Sequence, residues 1–156
     1  MNTRVSLDLK LRLAGGLTVA SLNKLAAVLN EQGQAQIHEA MGNRFLQITR
    51  STFGPNGQHR PNDWRPLSPR YQKEIGYFGP PKLVLGGAMI RSINLAQWGH
   101  DRVVVLAGSD YASEHQHGAQ RLPRRGFFPI NAGTLTNYAD REVRKAAQGA
   151  LDKMMT

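Results

Sequence analysis

The first part of the chain alternates apolar and polar residues and then changes to a helical period. From Val5 to Leu13 every second residue is apolar, which is typical of a strand with one buried face, and Gly15-Gly16 marks its end. The apolar positions that follow at helical spacing are Leu22, Leu25, Ala26, Leu29, Ile37, Met41, Phe45 and Ile48. We therefore predict one strand followed by two helices that meet near Gly33, or by one helix bent there.

The middle of the chain combines short helices with a hairpin. Ser68-Pro69 is a helix cap followed by proline at the first helical position. A second short helix is predicted from Leu83 to Arg91. Two β-favouring runs, Ile93 to Trp98 and Arg102 to Ala107, are separated by a short polar turn and predict a β-hairpin.

The last part of the chain predicts a capped helix, a strand and a long helix. Asp110 is placed to cap a helix that ends at Gly118, and a third strand is predicted from Phe127 to Ile130. An amphipathic helix begins near Asn137. The fold class is α+β, a single domain over residues 1–156 whose small, mostly antiparallel sheet carries the N-terminal strand, with two helices and the long C-terminal helix packed on one face.

Between the N-terminal helices and Ser68 the apolar residues follow neither the alternation of a strand nor the spacing of a helix. Residues 51–66 are rich in Gly, Pro, Asn and His and show neither period. Loops of this length are uncommon within a compact domain and are often functional or order against a neighbour. We predict an extended loop that contacts a partner.

Composition removes several classes of protein. The 156 residues include no cysteine, which excludes disulfides and thiolate chemistry. No leader sequence or apolar run of about 20 residues is present, so we expect a soluble protein made in the cytoplasm. The formal net charge is +9, which favours encounters with polyanions such as DNA.

The polar residues do not predict a catalytic or metal site. His115 and His117 would diverge on a helix, and zinc would need further ligands from other elements. The carboxylates are scattered, whereas general acid–base or two-metal catalysis needs them to converge. We predict no enzyme activity, no metal and no cofactor.

The densest positive segment runs from Arg121 to Arg125. It is suited to DNA phosphates or to an acidic partner surface, because each guanidinium can bond two oxygens at once. A solvated hairpin turn explains the segment equally well, and the sequence alone leaves both interpretations open.

Three patches, in this order, resemble the virion morphogenesis or tail-completion family of tailed phages, including proteins of Mu-like phages. The first is Trp64-Arg65-Pro66-Leu67-Ser68-Pro69-Arg70-Tyr71. The second is Leu85-Gly86-Gly87-Ala88-Met89-Ile90-Arg91-Ser92-Ile93. The third is Tyr111-Ala112-Ser113-Glu114-His115-Gln116-His117-Gly118, followed by Pro123-Arg124-Arg125-Gly126-Phe127-Phe128. Two departures are Met89, where the family usually has Leu, and Gly86-Gly87, which replaces a more polar pair.

The resemblance implies a structural virion protein at the neck, or head-proximal end of the tail. Such a subunit forms a ring, six-fold in this interpretation, that completes the tail and joins it to the head around the DNA channel. Its partners would be further copies of itself, tail-tube and head-side connector proteins, and genomic DNA passing without sequence readout, with no membrane.

Specific residues are assigned to these roles. The predicted subunit or partner interface is Phe53, Asn56, His59, Arg60, Asp63, Arg121, Arg124 and Arg125. The predicted DNA-channel contacts are Arg60, Arg65, Arg124 and Arg125. The predicted motif core is Trp64, Pro66, Leu67, Tyr71, Tyr111, Ala112, Gln116, Gly118 and Phe127.

Three alternatives stay open. The chain could be a free DNA-binding protein acting during infection, as its charge suggests, or an assembly factor absent from the mature virion. The station within the neck, whether terminator, adaptor or stopper, is also open. A small nuclease or metal-dependent hydrolase is disfavoured by the scattered carboxylates.

Overall fold

A computed structural model describes residues 3–7, 19–54, 57–78, 87–120 and 122–156. Within these ranges the protein is α+β, with antiparallel strands and a long C-terminal helix, which confirms the predicted fold class. The elements are β1 (Thr3–Leu7), α1 (Val19–Leu29), α2 (Glu31–Ser51), α3 (Pro69–Ile75), α4 (Ala88–Ser92), β2 (Ile93–Trp98), β3 (Val103–Ala107), α5 (Ala112–His117), β4 (Ile130–Asn131), β5 (Thr134–Leu135) and α6 (Asn137–Met155).

The larger sheet of the described chain has three antiparallel strands in the order β1-β3-β2. The predicted hairpin is confirmed as β2 and β3, with the turn closed by a hydrogen bond from Gly99 N to Arg102 O of 3.0 Å. A register shift interrupts the hairpin between Leu95 and Gln97. The predicted N-terminal strand is present as β1, and the remainder of that prediction, residues 8–13, lies outside the described residues.

The two N-terminal helices separate at Asn30, three residues before the predicted break. The Asn30 side chain accepts a hydrogen bond of 2.8 Å from Gly33 N and so caps α2. A Cβ at Gly33 would lie 2.5 Å from the carbonyl oxygen of Val28. Gly33 is therefore needed for close approach of the two helices, and the chain break itself belongs to the capping asparagine.

Helix α2 is the centre of the structure. Its predicted apolar face is confirmed, because Ile37, Met41, Phe45 and Ile48 are all buried. It lies against all three strands of the larger sheet, and α6 packs along it in turn. On α1 the prediction is wrong at Ala26 and at Leu29, which are both exposed, whereas Val28 is buried.

Helix α6 is held at both ends. The Thr136 side chain accepts a hydrogen bond from Ala139 N and caps its first turn. At the other end, the Lys24 ammonium of α1 donates to the carbonyl oxygens of Met155 and Thr156, at 2.8 and 3.1 Å. A cation at a helix C-terminus stabilises its unpaired carbonyls and its dipole.

Three predicted elements need correction. The strand expected over Phe127 to Ile130 is wrong at residues 127–129, and β4 begins only at Ile130. Asp110 does not cap α5, since the N-cap position is Tyr111 and no side chain there makes a capping hydrogen bond. The short helix expected from Leu83 begins at Ala88 in the described chain, and residues 79–86 lie outside it.

No helix in the described ranges is both long enough and apolar enough to cross a membrane.

Candidate functional site

The predicted extended loop has no helix or strand in its described residues, 52–54 and 57–66, but it is anchored to the core at both ends. Phe53 and Trp64 are 1% and 5% exposed, and their rings pack edge to face with centroids 6.4 Å apart. The Thr52 hydroxyl donates to Phe127 O at 3.1 Å. The loop is therefore folded against its own chain.

Arg60 holds the loop together from inside. Its Nε donates to Thr52 O at 2.9 Å, a second guanidinium nitrogen donates to Gly54 O, and its Cζ lies 3.8 Å from the centroid of the Trp64 ring. Partial burial lowers the pKa of Arg60 from its ordinary value. Arg60 therefore both holds the loop together and places a positive charge over the face of the Trp64 ring. The electron-rich face of an aromatic ring attracts a cation.

The loop and the predicted basic turn join at Gly126. The Gly126 N–H donates to Asn62 Oδ1 at 3.1 Å, and Gly126 O accepts from the Trp64 indole at 3.0 Å. The Asn62 amide also donates to Arg124 O at 3.3 Å. A Cβ on Gly126 would lie 2.8 Å from Asn62 Oδ1. This close junction requires glycine and connects segments more than sixty residues apart.

The side chain of Gln116, in α5, binds the backbone of the two residues that follow Gly126. Its side-chain oxygen accepts hydrogen bonds from the backbone N–H groups of Phe127 and Phe128, each at 3.0 Å. Gly118, two residues later, has φ of +85° and ψ of 159°, a conformation available essentially to glycine alone. Gln116 and Gly118 therefore fix the path of the chain where α5 ends and where Phe127 enters the core.

The junction brings together the arginines that the sequence assigned to DNA contact. Arg65 and Arg124 are exposed, and Arg60 is half-buried beside Trp64. The Arg124 Nε donates to Gln116 O at 3.2 Å, which restrains the side chain while leaving it on the surface. Cations from two distant segments therefore occupy one region of the molecule, which we call the arginine junction (Arg60, Arg65 and Arg124).

Two residues assigned to surface roles are buried. Phe53 belongs to the hydrophobic core and cannot form a subunit contact in this conformation. Arg125 is 5% exposed, and one of its terminal nitrogens donates to Arg65 O at 3.2 Å. Its assignment to the surface of a DNA channel is therefore wrong.

The other predicted interface residues have mixed positions. His59 and Asp63 are exposed, and the His59 ring stacks on Tyr138 of α6 with centroids 3.4 Å apart. This contact ties the loop to the start of α6. Asn56 and Arg121 lie outside the described residues.

The residues assigned to the motif core divide between buried and exposed positions. Trp64, Leu67, Ala112, Gln116 and Phe127 are buried. The prediction is wrong for Pro66, Tyr71 and Tyr111, which are exposed, the two tyrosines at 40% and 42%. Because tyrosine has a polar end, its presence in a motif does not distinguish a core position from a surface one.

Sequence reasoning missed Asn62 and Gly126, which make the junction. A short side chain in a Pro-rich loop and an isolated glycine give no signal of a contact at a separation of 64 residues.

The three resemblance patches do meet in the structure. Arg65 of the first patch and Arg124 of the third belong to the arginine junction, and Met89 and Ile93 of the second patch belong to the same buried cluster as Trp64 and Phe127. No family model matches the chain, and no curated protein or solved structure matches it. Membership of the tail-completion family therefore stays a prediction.

Proposed function

We propose that the protein is a non-enzymatic structural subunit of a tailed-phage virion that completes the tail and joins it to the head as an oligomeric ring. The observation that carries this proposal is the arginine junction. It gathers Arg60, Arg65 and Arg124 from two distant segments at the place where two of the family-like patches meet.

The chemistry of the junction suits a channel wall. Arginines contact phosphates through charge and hydrogen bonding and carry no base-specific information unless they reach a groove. Trp64 restrains the Arg60 side chain, and Gln116 O restrains the Arg124 side chain. Less side-chain conformational entropy is therefore lost when these arginines bind phosphate. Such a wall would contact passing DNA without selecting a sequence. In the proposed ring, of six subunits by the family resemblance, each copy contributes one arginine junction to the channel.

Deletion of the coding sequence from the phage or prophage genome that carries it tests this role. We expect lysates of the deletion strain to contain DNA-filled heads and separate tails in electron micrographs, and expression of the protein from a plasmid to restore joined particles. Joined, infectious particles in the deletion strain would contradict the proposal, as would the absence of both heads and tails.

A free DNA-binding protein is the second candidate, and the same arginine junction is compatible with it. It predicts tight, salt-dependent binding by the isolated chain and absence of the protein from purified virions. Quantitative mass spectrometry of virions separates the candidates, since a ring subunit is present at a fixed copy number per particle. The assembly-factor alternative also predicts its absence from virions.

A further inference from the structure

An exposed histidine on the loop has an uncommon backbone conformation. The φ of His59 is +61°, in the left-handed region where Cβ crowds the backbone, although histidine adopts it more often than most residues. Such a conformation persists only where the surrounding structure fixes it, and it is frequent at functional positions. Here it belongs to a residue on the surface. The fold therefore holds the His59 ring in place without burying it.

Tyr138, at the start of α6, covers one face of the His59 ring. The two ring planes are 6° from parallel, and their centroids are 3.4 Å apart. His59 stays exposed although this face is covered, and no other described aromatic ring contacts it. The stack therefore presents a flat imidazole face to solvent.

The surroundings of this stack are positively charged. The Cζ of Arg141 lies 5.6 Å from the centroid of the tyrosine ring, and the arginine side chain is 63% exposed. Arg60, of the arginine junction, follows His59 directly in the chain. Residues 51–66 contain two arginines and one acid, Asp63. An aromatic face beside several cations is suited to a ligand that combines a flat ring with negative charge.

We propose that the open face of His59 stacks on an unpaired base of single-stranded DNA, while Arg141 and the arginine junction contact the neighbouring phosphates. Every base has a flat face, so stacking holds the strand without selecting a sequence. In duplex DNA the neighbouring base pairs cover both faces of each base, so a duplex offers only its phosphates. The inference does not rest on the proposed function, because it concerns unpaired bases and the isolated protein.

Fluorescence anisotropy with the full-length protein tests this site. Two labelled single strands of about ten nucleotides are compared, which is within the size range of single-strand sites. One is oligo(dT), and the other has the same backbone with abasic sugars, so both carry the same phosphate charge. We expect oligo(dT) to bind about tenfold more tightly, because stacking on an aromatic ring requires the base.

Two variants assign this preference to His59. His59→Gly removes the ring, and glycine accepts the positive φ of this position. We expect it to bind oligo(dT) about as weakly as the abasic strand and to bind a long duplex as the wild type does. His59→Phe keeps a flat ring and should retain the preference for oligo(dT). Thermal unfolding checks that both variants are folded.

Nuclear magnetic resonance of the wild-type protein tests the contact without any variant. A base stacked on the imidazole should move the ring-proton signals of His59 upfield through its ring current, whereas the abasic strand should not. The internal control is His100, which should not respond. Its neighbour Gly99 contacts His38, about 20 Å along α2 from the end at Ser51 where the loop begins.

Three outcomes would overturn the inference. Equal affinity of the wild type for oligo(dT) and for the abasic strand would show that no base is bound. A preference for oligo(dT) that persists in His59→Gly would place the base elsewhere. An equal loss of duplex and single-strand binding in His59→Gly would show that the ring acts only through the structure of the loop.

Discussion

Gln116 holds the backbone that follows the arginine junction. Its side-chain oxygen satisfies two buried N–H groups, those of Phe127 and Phe128. Replacing Gln116 with leucine should lower the free energy of unfolding by about 3 kcal/mol, because both buried donors lose their acceptor. Urea denaturation measures this change. The matched control is Gln148→Leu, because Gln148 lies on the exposed face of α6. This variant should change the free energy of unfolding by less than about 0.5 kcal/mol.

Two glycines should respond to alanine with opposite signs. Gly118 has a positive φ, and an added Cβ would lie 3.3 Å from Arg124 N, so Gly118→Ala should destabilise the fold by about 2 kcal/mol. Gly149 lies within α6, where an added Cβ meets nothing within 4 Å. Gly149→Ala should stabilise by about 0.5 to 1 kcal/mol through helix propensity. Thermal or urea unfolding of both variants checks the signs, and equal effects would contradict the backbone assignment at Gly118.

At single residues, sequence reasoning succeeded where apolar character decides position and failed where polar contacts do. Trp64 and Phe127 are buried as predicted. Arg125 was assigned to the surface because arginine is seldom buried. Its side chain and its backbone N–H donate to the carbonyl oxygens of Arg65 and His115, and no sequence pattern pairs either residue with Arg125.

Among the elements, periodicity predicted the interior of helices better than their ends. The buried face of α2 and the start of α6 agree with the sequence, whereas the α1–α2 break was displaced from Asn30 to Gly33. The strand predicted at residues 127–129 fails for a specific reason. The Gln116 side chain takes the N–H groups that a neighbouring strand would use, and both phenylalanines are buried, without alternation.

The contact between α2 and α6 should depend on pH. Hydrogen bonds from Arg44 and Lys145 lower the pKa of Glu142, whose side chain is 13% exposed. The stabilisation is complete above the ordinary carboxyl pKa and is lost as pH falls through the lowered value. The stability difference between the wild type and Glu142→Gln should therefore shrink as the solution is acidified below about pH 4.5.

Urea unfolding across pH 3 to 7 measures this difference. In an Arg44→Met background the pH dependence should weaken, because the hydrogen bond from Arg44 is the largest cause of the lowered Glu142 pKa. A difference that stays constant across this range would contradict the role of the ion pair.

For the whole molecule, the arginine junction predicts where DNA binds. Phosphate contacts release counterions, and each lost contact reduces the slope of log affinity against log salt by about 1. Arg65→Ala with Arg124→Ala should therefore weaken binding to duplex DNA and reduce the slope by about 2. Fluorescence anisotropy over a salt series measures both quantities.

The control for this experiment removes the same charge elsewhere. Arg102 and Arg144 are exposed and pair with Asp101 and Asp140. Their double alanine variant has the same net charge as the junction variant and should bind DNA nearly as the wild type does. Equal losses in the two variants would mean that net charge, and not the arginine junction, determines binding.

The role we propose for this chain is to complete tails and to join them to heads. The most direct measurement mixes purified protein with heads and tails separated from a lysate that lacks it, followed by electron microscopy and infectivity. We predict that joined particles and plaque titre rise together with added protein and saturate at a fixed number of copies per particle. Heads and tails that stay separate at saturating protein would contradict this role.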